Sequence, residues 1–366
     1  MTDPPGNLPR ILFTNGSRTW GGTEHSALRQ AVGLRDRGCE VRVLWGHEVV
    51  GERVREAGLP GARLRLRADA DVAGLWRLVR ELRAHRADVL IATRWREYLL
   101  GGLACRLAGR PRMVCHLSLR VSPRADLKRR LIFRLADLVI VNAEEIRDEL
   151  AGCGWIAPEK IAVVHNGIDP ARYEDLAGGP EFRRELGIPA EAPLLLNVGS
   201  LTPQKDHATL VRAAARLADT APESRVVIVG EGFLRDEIEG EIASAGVGGR
   251  VHLAGFRRDI RPALAAADVF VMSSDNEGMP WVLLDALAAG LPVVATDVSG
   301  TRACVEEGVN GQVVPPRDPA ALAAACAGLL ADGPRRADMG RASRRLAAER
   351  FDERRMIDGI LQLLTG

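Results

Sequence analysis

Lysine is nearly absent from this chain of 366 residues: of its 50 basic residues only Lys128, Lys160 and Lys205 are lysines, and the other 47 are arginines. The skew reads as genomic codon bias, and it makes each surviving lysine worth inspection, because a compact ammonium and a planar guanidinium do different chemistry. The six cysteines, at 39, 105, 115, 153, 304 and 326, form no CxxC pair and keep no regular spacing. That excludes a zinc knuckle and a disulfide framework and fits a reducing compartment. No apolar run approaches about 18 residues, and the opening MTDPPGNLPR has neither a basic n-region nor an apolar h-region, so a cytoplasmic protein without a spanning helix is expected. Neither half offers GxGxxG after its first strand, which argues against a dehydrogenase. Asp69-Ala70-Asp71 has a DxD spelling but does not follow a buried strand, and His25, His47, His85, His165, His207 and His252 have no cluster spacing. No metal site and no nucleic-acid partner are therefore expected.

What is present is a chain with 46% hydrophobic and 27% charged residues and a mean hydropathy of −0.04, enough apolar material for two ordinary domains and too much for disorder. Strand-length apolar runs recur, RILFTN, VRVLWG, ADVLIAT, RMVCHL and ADLVIVN, each followed by a segment of helical period. After a loop-rich stretch the pattern restarts with LLLNVGS, SRVVIVG, RVHLAGF, ADVFVMS and LPVVATD. Such alternation predicts α/β architecture: two Rossmann-like, doubly wound parallel sheets facing across a cleft, with ligands beyond the carboxyl ends of the strands. The expected limits are 1–176 for the first domain, 177–347 for the second, and a helix over 348–366 packing back on the first. The halves differ in charge, residues 1–176 carrying 29 Lys+Arg against 22 Asp+Glu and residues 177–366 carrying 21 against 26. A basic first half suits an acidic acceptor or an anionic surface, or is simply a solvated exterior.

Three stretches carry candidate chemistry. RILFTNG leads to Trp20, Gly21, Gly22, Thr23 and Glu24 at the start of a helix, where paired glycines let backbone N–H groups approach a ligand, or merely make a tight βα turn. After LLLNVG, Ser200-Leu201-Thr202-Pro203-Gln204-Lys205 puts a lysine at a strand-to-helix junction, where one cation beside helix amides can neutralise a diphosphate; a surface lysine is the plain alternative. The stretch Ser274-Asp275-Asn276-Glu277-Gly278-Met279-Pro280-Trp281-Val282-Leu283-Leu284-Asp285 places Pro280 in a first helical turn. It sets Glu277 and Asp285 far enough apart to touch different parts of one extended ligand, or to serve as a helix cap and a polar-face carboxylate.

Taken in order, the glycine pair before Glu24, NGID at 166–169, VGSLTPQKD at 198–206, VGEG at 229–232, and Glu277 through Asp285 into ALAAGLPVVATD resemble glycosyltransferase family 4 over nearly the whole chain. The resemblance implies the glycosyltransferase-B fold, a nucleotide diphosphate sugar held by the second domain with UDP favoured, retention of anomeric configuration, and no bound metal or other cofactor. It places Glu277 at the first glutamate of an EX7E signature, contacting sugar hydroxyls, and Asp285 at the second, the ribose binder, one methylene shorter. Lys205 resembles the diphosphate-binding lysine, Ser200 stands where an arginine is common, and Ala303 stands where many members carry glutamate. His116, in RMVCHLS, resembles the strand-end histidine that touches the donor sugar.

The resemblance thus implies a hexosyltransferase in glycan, glycolipid or secondary-metabolite synthesis, with His116, Lys205 and Glu277 catalytic. Gly21, Gly22, Ser200, Gly278, Met279, Trp281, Val282 and Asp285 would bind the donor, and Glu24 and Arg94 a hydroxyl acceptor. A nucleotide-sugar epimerase of the same architecture and an inactive nucleotide-sugar-binding protein are the alternatives. Residues 120–134, RVSPRADLKRRLIFR, form the densest basic run; as a helix they line up Leu127, Leu131 and Leu135, which suits packing on the domain or contact with an anionic membrane.

Overall fold

The computed structural model describes residues 8–109, 111–118 and 127–366. They divide into two compact units, one holding the chain through Asn166 together with Arg354–Gly366, the other Gly167–Glu353. The first is built on β1 (Arg10–Asn15), β2 (Glu40–Trp45), β3 (Gly61–Arg63), β4 (Val89–Ala92), β5 (Arg112–Leu117), β6 (Leu138–Val141) and β7 (Ile161–Val163), all parallel, in the order β3-β2-β1-β4-β5-β6-β7. The second is built on β8 (Leu194–Val198), β9 (Arg225–Val229), β10 (Val251–Gly255), β11 (Val269–Met272), β12 (Val293–Thr296) and β13 (Gly311–Val314), also parallel, in the order β10-β9-β8-β11-β12-β13. Helices in the crossovers cover both faces, so central strands are apolar on both sides and read as unbroken hydrophobic runs. The second unit shows this with period two: Leu194, Leu196, Phe270 and Met272 join one core cluster, while Leu195, Val269 and Val271 join the other. The short edge strands β3, β7 and β13 escape the sequence reading because three or four half-buried residues make no hydrophobic run.

Two expected boundaries shift. The units part at 166/167 instead of 176/177, because Tyr173 and the segment around it belong to the core under β8 and β11. The single helix expected over 348–366 is two, Gly333–Arg350 and Glu353–Thr365. The break is held by backbone: Ile168 N–H donates to the Phe351 carbonyl at 2.6 Å and Glu353 N–H to the Ile168 carbonyl at 3.0 Å. Buried Phe351 anchors the turn. The last helix then packs on the first unit, with Ile357 filling the space beside Gly33, Arg37 paired to Asp358 at 2.9 Å, and Arg112 donating to the Leu363 carbonyl at 2.6 Å.

Candidate active site

In each sheet the strand order reverses between two central strands, β1/β4 in the first unit and β8/β11 in the second, and open α/β sheets bind ligands at that point, beyond the strand ends. In the second unit β8 runs into a single 3-10 turn, Pro203–Lys205, and β11 into Ser273–Glu277. The two loops are stitched together. Lys205 Nζ meets Glu277 Oε1 at 2.5 Å, with the side chains 14% and 7% exposed. Ser274 Oγ donates to the same carboxylate oxygen at 2.9 Å, Ser273 Oγ to the Lys205 carbonyl at 2.9 Å, and Asp275 N–H to the Gln204 carbonyl at 2.9 Å. Beneath them Asn197 Nδ2 donates to the Val271 carbonyl at 2.8 Å and its Oδ1 lies 3.1 Å from His207 Nε2. Burial, reinforced by the Lys205 charge, holds His207 down to about 4, so it is a neutral strut. An ion pair this enclosed is costly to desolvate and needs the surrounding hydroxyl and backbone partners to persist.

Helix Trp281–Ala289 opens at this loop. Pro280 is its N-cap with extended backbone, not a residue of the first turn as the sequence suggested, since it lies one residue before the helix begins. Glu277 therefore sits in the loop, and Gly278, Met279 and Trp281 are buried and offer a ligand only backbone, whereas Val282 is half-buried. A helix start concentrates outward N–H groups and positive potential, a natural seat for a diphosphate. Gly300 backs the loop: at φ +71 its α-carbon approaches so closely that a Cβ would fall 2.4 Å from the Gly278 carbonyl oxygen. Asp285 is half-buried and accepts from Tyr173 Oη at 2.5 Å, and Ser200 is exposed.

In the first unit Glu24, in the first turn of helix Gly22–Asp36, pairs with Arg94, the N-cap of helix Trp95–Ala108, whose guanidinium also donates to Ser17 Oγ at 3.0 Å. Gly21 has extended backbone and a Cβ on Gly22 would meet nothing within 4 Å, so protein packing does not require the pair. His116 is the penultimate residue of β5 and fully buried; Nε2 lies 3.2 Å from Gln30 Nε2, its carbonyl accepts from Tyr98 Oη at 2.7 Å, and Nδ1 has no hydrogen-bond partner among the described residues. Burial pushes this imidazole down to about 4. Neighbouring Glu97, equally buried, is pushed up to about 7 by desolvation, against the backbone N–H donors of Thr93 and Gly16.

Sequence reasoning passed over Ser273 and Glu97 and gave Ser274 no role of its own. A serine pair directly after a buried strand, and an acid three residues past Arg94 in a helix start, were the available signals. Elsewhere the structure corrects one orientation. Helix Leu127–Leu135 buries Ile132 and Phe133, while Leu127 and Leu131, expected beside Ile132 on one stripe, are 85% and 42% exposed. Its core-facing side is instead keyed by Phe133 edge-on to Trp95. Arg120 and Arg124 of the basic run lie outside the described residues. Asp69 pairs with Lys128, and Asp71 accepts from Gly74 N–H as the N-cap of helix Val72–Ala84. No helix among the described residues is long and apolar enough to cross a membrane.

Residues 20–172 match the family model described as Glycosyltransferase Family 4, and residues 179–346 the model described as glycosyl transferases group 1. A lipopolysaccharide core biosynthesis glycosyltransferase of Rhizobium meliloti is 32% identical over 246 residues, 67% of this chain and 69% of that protein. A D-inositol 3-phosphate glycosyltransferase of Streptomyces avermitilis is 34% identical over 233 residues, 59% of this chain and 49% of its own length, so the match spans about half of that relative. The crystal structure of Anabaena HepE in complex with UDP-glucose superposes with a TM-score of 0.87 at 25% identity, covering 98% of this chain and 99% of that one. Matched by family models in both halves and by a relative over two thirds of its length, the chain is a glycosyltransferase of the glycosyltransferase-B fold and belongs to glycosyltransferase family 4.

Proposed function

We propose that this protein is a retaining, metal-independent hexosyltransferase that takes its sugar from a nucleotide diphosphate sugar, a UDP-sugar in the first instance, and passes it to an acceptor hydroxyl. The enclosed Lys205–Glu277 pair at the β8/β11 switch point carries the reading. A lysine beside a helix start suits a diphosphate, and a carboxylate beside it suits sugar hydroxyls. The UDP-glucose held by the Anabaena neighbour supports the choice of donor.

In the step itself the bond from the anomeric carbon to the diphosphate oxygen breaks and its electron pair leaves with the diphosphate. Charge grows on the diphosphate, where Lys205 and the amides from Gly278 to Val282 stabilise it, and oxocarbenium character grows on the sugar. Glu277 orients the sugar, and His116, whose Nδ1 has no partner among the described residues, suits a contact completed by ligand. The acceptor oxygen bonds to the anomeric carbon on the face the diphosphate leaves, and its proton passes to the departing phosphate oxygen. Asp285, steadied by Tyr173, holds the ribose. The first unit takes the acceptor, with Glu24 and Arg94 beside it, while Gly21 and Gly22 allow close backbone approach of the donor. The exposed Leu127 and Leu131, flanked by Arg130 and Arg134, suit reversible contact with an anionic surface that presents a lipid-linked acceptor.

A thermal-shift screen of nucleotide sugars tests the donor, since ligand at 100-fold over its Kd adds about 2.7 kcal/mol to stability. A UDP-sugar should raise Tm, and transfer should continue in EDTA. No response to any nucleotide sugar, or activity lost to EDTA and restored by Mg²⁺ or Mn²⁺, would overturn the reading.

A further inference from the structure

The first unit has a cleft of about 540 Å3 that lies wholly within it, at the carboxyl ends of β3, β2, β1 and β4. That volume falls in the range of roughly 300–1,000 Å3 typical of small-molecule sites. Its lining is basic to an unusual degree: Arg18 follows β1, Arg65 and Arg67 follow β3, and Arg94 and Arg96 follow β4. Two of these are committed, Arg94 to Glu24 and Ser17, and Arg96 to the Leu66 carbonyl at 3.0 Å and to Asp69 at 3.7 Å. Arg18, Arg65 and Arg67 are exposed, and among the described residues no carboxylate pairs with any of them. His47, also in the lining, feels this charge: burial first, then Arg65, Arg18 and the nearby Arg63, hold its imidazole below the ordinary range. Glu97, also in the lining, is buried and raised to about 7 by desolvation, so near neutrality it is only about half ionised and cancels a fraction of the guanidinium charge.

We propose that this cleft binds the phosphate group of a phosphorylated acceptor, with Arg65 and Arg67 as its principal ligands and Arg18 closing the third side. The inference rests on the reading that the first unit takes the acceptor. Arginine forks match phosphate oxygens two at a time, and three exposed guanidiniums without a carboxylate ion pair among the described residues suit an anionic phosphate better than a neutral sugar. A phosphate of this kind comes either on a soluble sugar or polyol, as a monoester, or on a lipid headgroup, as a diester, and both present at least two terminal anionic oxygens.

Calorimetric titration of the full chain with glucose 6-phosphate, inorganic phosphate, glucose and UDP-glucose tests it, in parallel with vesicles containing phosphatidylinositol or phosphatidylcholine alone. Glucose 6-phosphate, or the phosphatidylinositol vesicles where the source is a headgroup, should bind in a salt-sensitive manner while glucose does not. The R65A/R67A double variant should bind it about 10-fold or more weakly, and R80A, which removes an exposed arginine outside the cleft, should bind as the wild type. Both variants change exposed side chains, and unchanged Tm verifies folding. Phosphate binding that survives R65A/R67A, or no binding of any phosphate-bearing probe, overturns the proposal. So does a parallel loss of UDP-glucose affinity in R65A/R67A, which would make the cleft a donor site. If wild type binds UDP-glucose but no phosphate, only this inference falls; if it binds phosphate in the cleft but no nucleotide sugar, the donor reading falls and the cleft stands.

Discussion

Both units place an acid and a base across the switch point of their sheet, with opposite polarity and different fates. In the second unit the cation, Lys205, follows the first strand of the pair and the acid, Glu277, the second, and both are enclosed. In the first unit the acid, Glu24, follows β1 and is 3% exposed, while the cation, Arg94, precedes the helix after β4 and is 40% exposed. The second pair is preformed and screened from water, so on the proposed reading it would meet developing charge without reorganising solvent. The first puts Arg94 in a cleft where Arg18, Arg65 and Arg67 have no carboxylate ion pair among the described residues, which suits steering a charged partner more than stabilising a reacting centre.

The sharpest way to break that contrast is to neutralise the enclosed carboxylate. E277Q should lower kcat on the order of 10²-fold, because the amide cannot hold Lys205 or accept equally from sugar hydroxyls. Steady-state kinetics with a UDP-sugar give the answer, and near-normal turnover would take Glu277 out of the reaction. Truncation of the other pair should act on stability instead. R94A leaves the buried Glu24 carboxylate unpaired and should cost about 1–3 kcal/mol, lowering Tm, whereas E24Q leaves a half-exposed guanidinium and should cost less than about 1 kcal/mol. Equal losses in thermal unfolding would show that the pair is not asymmetric.

Protons separate the units again. His116 and His207, one in each, are held down to about 4 against an ordinary 6.5. The unfolded chain therefore binds protons that the native state refuses as pH falls through this window: stability is complete above 6.5 and declines toward 4, by up to about 3 kcal/mol for each histidine. Glu97 works the other way. Its carboxyl is raised to about 7 from 4.5, so between those values the native state keeps a proton that the unfolded chain releases, and stability declines toward 7 by a comparable amount. Only the first unit contains both slopes. E97Q should remove the alkaline-side loss while leaving the acid-side loss, as read by Tm against pH from 4 to 8; an unchanged profile would deny that Glu97 titrates late.

How much of this was legible in the sequence differs between the units for a physical reason. Lys205, Glu277 and Asp285 sit in short loops and one helix joined to unbroken apolar strands, so their spacing along the chain fixes their placement beyond the sheet. The arginine cleft is assembled from four loops more than 70 residues apart at the extremes, and in a chain of 47 arginines no single one stands out. Helix Leu127–Leu135 failed for a subtler reason: a leucine every four residues marks a stripe but not which neighbour it faces, and the helix instead buries Phe133, edge-on to Trp95, and Ile132. Glycine told most where it was forced, as at Gly300, and least at Gly22, where nothing crowds it.

Smaller effects sharpen the comparison at its edges. D285E should keep donor KM within a few-fold or lower it, since the longer carboxylate reaches the ribose while Tyr173 still donates; inactivation of a folded D285E would mean Asp285 is fitted to something else. At the surface of the first unit, the R130E/R134E variant should lose co-sedimentation with anionic vesicles at low salt, near-surface basic residues contributing about 1 kcal/mol each. Wild-type protein that ignores anionic vesicles at low salt would leave Leu127 and Leu131 as ordinary exposed apolar residues.

The most direct test of the central claim is the kinetic split in K205A, measured as kcat for sugar transfer alongside the Kd for the UDP-sugar. If Lys205 meets charge that develops as the diphosphate leaves, kcat falls by on the order of 10²-fold or more while donor affinity weakens only a few-fold. Donor affinity lost in step with an unchanged kcat, or near-normal values of both, would contradict it.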